Sequence, residues 1–279
     1  MPASLSLPLN EAELFAPVRG ERRIALAVSG GADSLALMLL AQRWAAGQGG
    51  PDLVVYSVDH GLRAEARGEV AQVGAAAAAL GIPFRALRWD GEKPHSGVQE
   101  TARVARYQLM GAQMRADGAS VLLTGHHLAD QAETVLMRMA HGSGVEGLRG
   151  MSAMAEVERV RVFRPLLEVD PAVLRGVVLA AGLVPVEDPS NQDPHYERVR
   201  WRQAMPMLAE LGLDAAALGA FARRMGQADA ALAQIANGCF SEIVRIDGFG
   251  AARIELLPLK GLSLAIATRV MGRVLNIVG

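Results

Sequence analysis

The apolar run Ile24-Ala25-Leu26-Ala27-Val28 leads directly into Ser29-Gly30-Gly31-Ala32-Asp33-Ser34, and a helical pattern opens at Ser34. A buried strand that bends through two glycines into a helix turns unpaired backbone N–H groups, and the positive end of the helix dipole, toward one point. Glycine suits that point because no Cβ stands in the way of an approaching anion. Ser29, Gly30, Gly31, Ala32, Asp33 and Ser34 therefore read as a phosphate-gripping loop. The lysine-bearing alternative needs Gly-Lys-[Ser/Thr], and the only lysines, Lys93 and Lys260, follow Glu92 and Leu259. The Asp33 carboxylate would repel a bare phosphate, so a partner cation is expected, with Mg²⁺ held between the carboxylate and the phosphate oxygens.

Strand-like runs recur at Arg23 to Val28, Asp52 to Val58, Pro83 to Leu87 and Ser120 to Thr124. Each precedes a segment of helical spacing, at Ser34 to Ala45, Glu65 to Leu80, Gln99 to Ala116 and Leu128 to His141. That alternation predicts an α/β fold, a parallel sheet with helices on both faces. Ligands of such sheets lie at the carboxyl ends of the strands. Asp59 and His60 follow the second run and Gly125 and His126 the fourth, so they are expected beside the loop as nucleotide contacts. Beyond Leu211 a long helical stretch, Ala215 to Phe240, precedes a strand-like piece from Ile243 to Leu256 and a last helix near Leu262 to Ile277. The expected division is residues 1–211 as the nucleotide domain and 212–279 as a smaller, mostly helical module.

With Lys+Arg 28 against Asp+Glu 29, overall charge points to no polyanion, and a nucleic acid would have to meet a local basic patch. The single cysteine, Cys239, excludes a disulfide framework and a Cys-x-x-Cys site. No apolar run reaches membrane-spanning length and Met1 to Glu13 lacks a signal pattern, so a soluble, cytoplasmic protein is expected.

Asp130 and Glu133 stand three residues apart on a helix, which puts both acids on one face near its N-terminus. With Asp33 they form the expected Mg²⁺ set, and the cation would offset charge on phosphate oxygens at the loop. Adjacent His126 and His127 point to different sides and lack a third ligand at useful spacing, which argues against zinc. Gly142-Ser143-Gly144-Val145-Glu146-Gly147 fits a dinucleotide pattern in letters only, because it follows a helix and not a strand. It reads better as a flexible turn that admits a substrate backbone. Pro165 in an extended stretch would aim Arg164 into the cleft, and Arg198, Arg200 and Arg202 form the densest basic cluster, suited to phosphate oxygens.

Ser29 to Ser34 resembles the loop of the PP-loop, or N-type, ATP pyrophosphatases, which split ATP into AMP and pyrophosphate. His126 to Thr134, Gly142-Ser143-Gly144, Arg164-Pro165-Leu166-Leu167 and Glu187-Asp188-Pro189-Ser190-Asn191 follow in order. That series is similar to the tRNA(Ile)-lysidine synthase family over residues 22 to 211. The resemblance implies an adenine nucleotide alpha hydrolase-like domain that binds ATP and Mg²⁺. It also implies a reaction: ATP adenylates C2 oxygen of the wobble cytidine of tRNA(Ile) with a CAU anticodon, and the side-chain amine of L-lysine displaces AMP. Catalytic roles then fall to Asp33, Asp130, Glu133 and Arg164. Substrate roles fall to Glu187 toward lysine and to Arg198 and Arg202, which match the family's Tyr-x-Arg-x-x-x-Arg spacing through Tyr196. Where the family often has Asp, Arg and Asn, this chain has Ala129, His141 and Val199, and it is short for the family. A homodimer is a further possibility. Rival readings are another PP-loop enzyme, thiolating tRNA or forming an amide, and a non-catalytic adenine-nucleotide sensor; a thiolase usually needs more cysteine than Cys239.

Overall fold

The computed structural model describes residues 9–47, 49–59, 61, 66–90, 98–186 and 193–278. Its main sheet contains β1 (Arg23–Ala27), β2 (Asp52–Asp59), β3 (Phe84–Arg88), β4 (Val121–Thr124), β5 (Met154–Val157) and β6 (Val160–Phe163), in the order β3-β2-β1-β4-β6-β5. Every pairing is parallel except that of β5 with β6. The parallel expectation thus holds for the sheet's body and is corrected at one edge, where β5 and β6 form a hairpin.

A short helix, α1 (Glu11–Leu14), precedes β1, and alternation within β1 explains how the sheet is covered. Ile24 and Leu26 face a core shared with Leu37 and Leu40 of α2 (Ala32–Ala45), Val73 of α3 (Ala66–Ala79) and Leu174 and Val178 of α7 (Pro171–Ala180). Ala25, between them, faces Tyr107, Met110 and Met114 of α4 (Val98–Asp117) on the other side. A strand buried on both faces has no room for polar residues, and this is why β1 and β4 read as unbroken apolar runs. Each fully buried leucine here contributes about 1.5–3 kcal/mol by leaving water.

The chain runs from β1 outward to β3, then returns to place β4 on β1's other flank. The crevice at the carboxyl ends of β1 and β4 is therefore the point where strand order reverses, the usual ligand position in open α/β sheets.

After β4 come α5 (Leu128–Ala140), α6 (Val145–Leu148), α8 (Glu197–Glu210) and the long α9 (Ala215–Ile243). Leu218 and Ala222 of α9 pack against Ala132, Val135 and Leu136 of α5, with Trp201 and Met205 of α8 closing the cluster. A separate small core forms where Ala236 and Phe240 of α9 meet Ile266, Val270 and Val274 of α11 (Leu264–Val278). The strand-like piece expected between these helices is a two-stranded ribbon, β7 (Val244–Ile246) and β8 (Ala252–Ile254), followed by the short α10 (Leu256–Gly261). No single described helix is long and apolar enough to cross a membrane.

Candidate active site

The loop behind β1 is held open by its own side chains. The Ser34 hydroxyl donates to the Gly31 carbonyl at 2.9 Å and accepts from the Ser29 amide at 3.2 Å, which fixes the bend from inside. Gly30 takes a φ of +94°, a left-handed conformation that side chains resist. Gly31 is the N-cap of α2 and offers no side chain to the helix's first amides, which leaves them for an incoming anion. The loop is braced from two sides. Val186 donates its amide to the Gly30 carbonyl at 2.9 Å, and a Cβ on Gly125 would lie 2.9 Å from the Asp33 carbonyl oxygen. Gly125, just past β4, therefore lies against the backbone of Asp33 and Ser34 at the start of α2. Asp59, buried at the end of β2, accepts from the Gly61 amide at 2.7 Å. His60 and Glu187, with Asp188, Ser190 and Asn191, lie outside the described residues.

The neighbouring histidines divide as their opposite directions suggest. His127 is buried and caps α5: its Nδ1 accepts from the Asp130 amide, while the Asp130 carboxylate accepts from the His127 amide. Its Nε2 lies 3.4 Å from Asp33 and 3.5 Å from Asp130. Burial opposes a charge on this ring, but the Asp33 contact and the fields of Asp130, Asp33 and Glu133 outweigh it, and the pKa rises above 6.5. His126 bonds the Thr124 hydroxyl at 2.8 Å and faces a cleft. Burial drives its pKa down to about 4 against the pull of Asp130, and Arg164, Arg106 and Arg198 add to the fall. One ring is held toward the charged form and the other neutral.

Of the acids assigned to Mg²⁺, Asp33 and Asp130 converge on His127 but Glu133 does not join them. Its side chain is 1% exposed, and both oxygens are taken by arginines: Arg202 Nε at 2.7 Å and Nη2 at 3.2 Å, and Arg198 Nε at 3.3 Å. In this structure Glu133 thus faces α8 and not the loop, and its place in a cation set is a proposal only. The spacing that placed Glu133 on the same helix face as Asp130 also placed it toward α8, where guanidinium donors satisfy a buried carboxylate. Among the described residues no group of three His, Cys, Asp or Glu side chains is disposed to hold a metal. The hard oxygens of Asp33 and Asp130, which both approach His127 Nε2, are of the kind that would hold a Mg²⁺ ion.

A cleft of about 860 Å³ opens beside His126, toward α9 and α11. Its walls carry Arg103, Arg138, Arg149, Arg164, Arg198 and Arg269. Arg164 lines it, although the residues from Pro165 on turn instead of extending; Arg164 is 5% exposed, donates to the Ser152 carbonyl at 2.8 Å and leaves Nε without a partner among the described residues. Arg198 also reaches the cleft and donates to Thr134 Oγ1 at 3.1 Å, whereas Arg202 is committed to Glu133. Arg200 is occupied by the carbonyls of Pro194 and His195. The glycine turn from Ser143 to Gly147 lines the cleft. Arg138, which the sequence reading passed over, shapes it by donating to the carbonyls of Gly147 at 2.7 Å and Gly150 at 2.6 Å. A basic residue in the last turn of α5, ahead of a glycine-rich segment, was the available signal.

Residues 7–208 match the family model described as the PP-loop domain. The chain is 44% identical over 266 residues to the tRNA(Ile)-lysidine synthase of Rhodopseudomonas palustris, covering 94% of this chain and 77% of that protein. Its identity to the tRNA(Ile)-lysidine synthase of a Bradyrhizobium species is 45% over 236 residues, covering 83% of this chain and 66% of the relative. The fold is similar to that of the U34-tRNA thiolase of Methanococcus maripaludis, with a TM-score of 0.63, 17% identity and 77% of each chain covered. By the family match over residues 7–208 and the identity to these synthases, the chain belongs to the tRNA(Ile)-lysidine synthase family of PP-loop proteins.

Proposed function

We propose that this chain is an AMP-forming ligase that joins L-lysine to C2 of the wobble cytidine of tRNA(Ile) with a CAU anticodon. The observation that carries the reading is the contact between the loop behind β1 and the end of β4, which gathers Asp33, His127 and Asp130 at the edge of an arginine-lined cleft. A triphosphate seated on the open amides of α2 meets the dipole's positive end, and the cytidine enters from the cleft. The C2 oxygen attacks the α-phosphorus and pyrophosphate leaves; the lysine amine, having lost a proton, then attacks C2 and AMP leaves with the oxygen. Holding both reactants in one crevice supplies much of the rate. Asp33 and Asp130 would hold Mg²⁺, which neutralises charge on the departing pyrophosphate. His126, neutral near pH 7, can hydrogen-bond a base or nucleotide without adding charge, while Arg164 and Arg198 face phosphate oxygens. Glu187 stays a proposal for lysine.

Support comes from the family relationship to named lysidine synthases and from the single cysteine, which suits ligation better than sulfur transfer. The test is pyrophosphate release from ATP. Release that requires both lysine and a CAU-bearing tRNA(Ile) supports ligation, and tRNA-independent turnover excludes it in favour of another PP-loop reaction. Nucleotide binding without any turnover supports a sensor.

A further inference from the structure

The cleft's far wall is organised by an acid that the proposed chemistry does not use. Asp229 lies midway along α9 and is 5% exposed. One carboxylate oxygen accepts from Arg269 Nη2 of α11 at 2.6 Å, and the other lies 3.2 Å from Arg149 Nη1, at the end of α6. Both arginines line the cleft, as does Leu232 one turn further along α9. A Cβ on Gly226, one turn before Asp229, would lie 3.9 Å from the Arg149 Cβ, so α9 passes close to this residue. The backbone under Arg149 is itself fixed, because Arg138 grips the carbonyls of Gly147 and Gly150 on either side. A guanidinium has five N–H donors, and contacts of this kind use only part of them.

We propose that Asp229 is a positioning residue that holds Arg149 and Arg269 as a matched pair of cations on two walls of the cleft, aimed at the phosphodiester backbone of the RNA substrate. The inference rests on the proposed function and adds a role within it. A carboxylate buried behind Arg149, 42% exposed, and Arg269, 22% exposed, anchors each chain at one nitrogen, so that ordering the cations costs little when a polyanion arrives. It also ties α11, α9 and the glycine turn together at one point, so the width of the cleft depends on it.

The two accounts of Asp229 differ in sign. Removing a negative charge beside an anion site strengthens polyanion binding if charge alone matters, and weakens it if positioning matters. The experiment measures steady-state pyrophosphate release by Asp229→Asn and the unchanged protein, with tRNA, ATP and lysine varied in turn. Positioning raises KM for tRNA about ten-fold and leaves kcat and KM for ATP within about two-fold. Arg149→Gln and Arg269→Gln each raise KM for tRNA in the unchanged protein, and add less than about two-fold in the Asp229→Asn background, because their anchor is already lost. A KM for tRNA that stays constant or falls in a folded Asp229→Asn protein overturns the inference. So does an equal loss of kcat with every substrate together with a lowered Tm, the mark of a purely structural acid. If Asp229→Asn does not fold, the single arginine variants decide, and an unchanged KM for tRNA in both overturns it. Failure of the unchanged protein to turn over with tRNA counts against the proposed function instead. In that case tRNA affinity measured by fluorescence anisotropy gives the same comparison of sign.

Discussion

Arg202 meets Glu133 with two prongs, Nε to Oε1 at 2.7 Å and Nη2 to Oε2 at 3.2 Å, across 69 positions of sequence. The pair fastens α8 to α5, and Arg202 reaches on to Asp130 at 4.0 Å, so the clamp and the acids at the loop share one charged string. The Glu133 bond in turn raises the guanidinium's pKa above its ordinary value. Glu133→Gln keeps the shape but removes the charge that two arginines face. It is expected to lower unfolding free energy in urea by about 2 kcal/mol, the scale of a charged hydrogen bond, and less than a fully buried ion pair because the arginines are half-exposed. An unchanged denaturation midpoint would show that solvent fully substitutes for the carboxylate.

The two histidines are expected to titrate in opposite directions from 6.5. In a ring-proton NMR titration, His126 changes near pH 4 and His127 above 6.5. The signs for stability follow. The folded protein binds the His127 proton more tightly than the unfolded chain, so that stabilisation is complete below about 6.5 and is lost as pH rises through the folded value. At His126 the unfolded chain binds the proton more tightly, so stability falls as pH drops from about 6.5 toward 4. Replacing Asp33 with Asn is expected to lower the His127 value, and no change there would separate the two groups.

Asp33→Asn is further expected to reduce turnover at least about a hundred-fold while nucleotide affinity changes by less than about ten-fold, since the loop amides remain and the phosphate-facing carboxylate is gone. Isothermal titration with a non-hydrolysable ATP analogue, beside single-turnover rates, measures both quantities. Equal turnover in the two proteins removes Asp33 from the chemistry.

Gly125→Ala places a Cβ 2.9 Å from the Asp33 carbonyl oxygen, and that atom belongs to backbone that cannot swing aside. The end of β4 must move off the loop, at about 1–3 kcal/mol in stability. ATP affinity is expected to fall with it, and thermal melts with and without nucleotide check both effects. Gly30→Ala combines a φ of +94° with a Cβ 3.0 Å from Val186, so the same assays are expected to show at least as large a loss.

Much of this arrangement was legible before any coordinates. β1 and β4 are buried on both faces, so they announce themselves as apolar runs, and the serines and glycines after Val28 mark the bend into α2. The β5–β6 hairpin was not legible. Its turn is made by Glu158 and Arg159 with φ of 49° and 61°, where glycine or asparagine would have signalled the bend, and Met154 and Glu156 do not mark an edge strand. The arginines that meet Glu133 were not legible either, because helix spacing gives direction around one axis and says nothing about Arg198 and Arg202 on another helix. Asp229 passed unremarked for the same reason: its importance lies in Arg149 and Arg269, which only the folding of α9 against α6 and α11 brings to it.

The central claim is that the loop behind β1 grips the triphosphate of ATP. A crystal structure of the protein soaked with Mg²⁺ and a non-hydrolysable ATP analogue tests it most directly. The account predicts phosphate oxygens against the amides that open α2, with the cation between them and Asp33. A triphosphate resting among Arg138, Arg149 and Arg269 in the neighbouring cleft, with the loop empty, would contradict it.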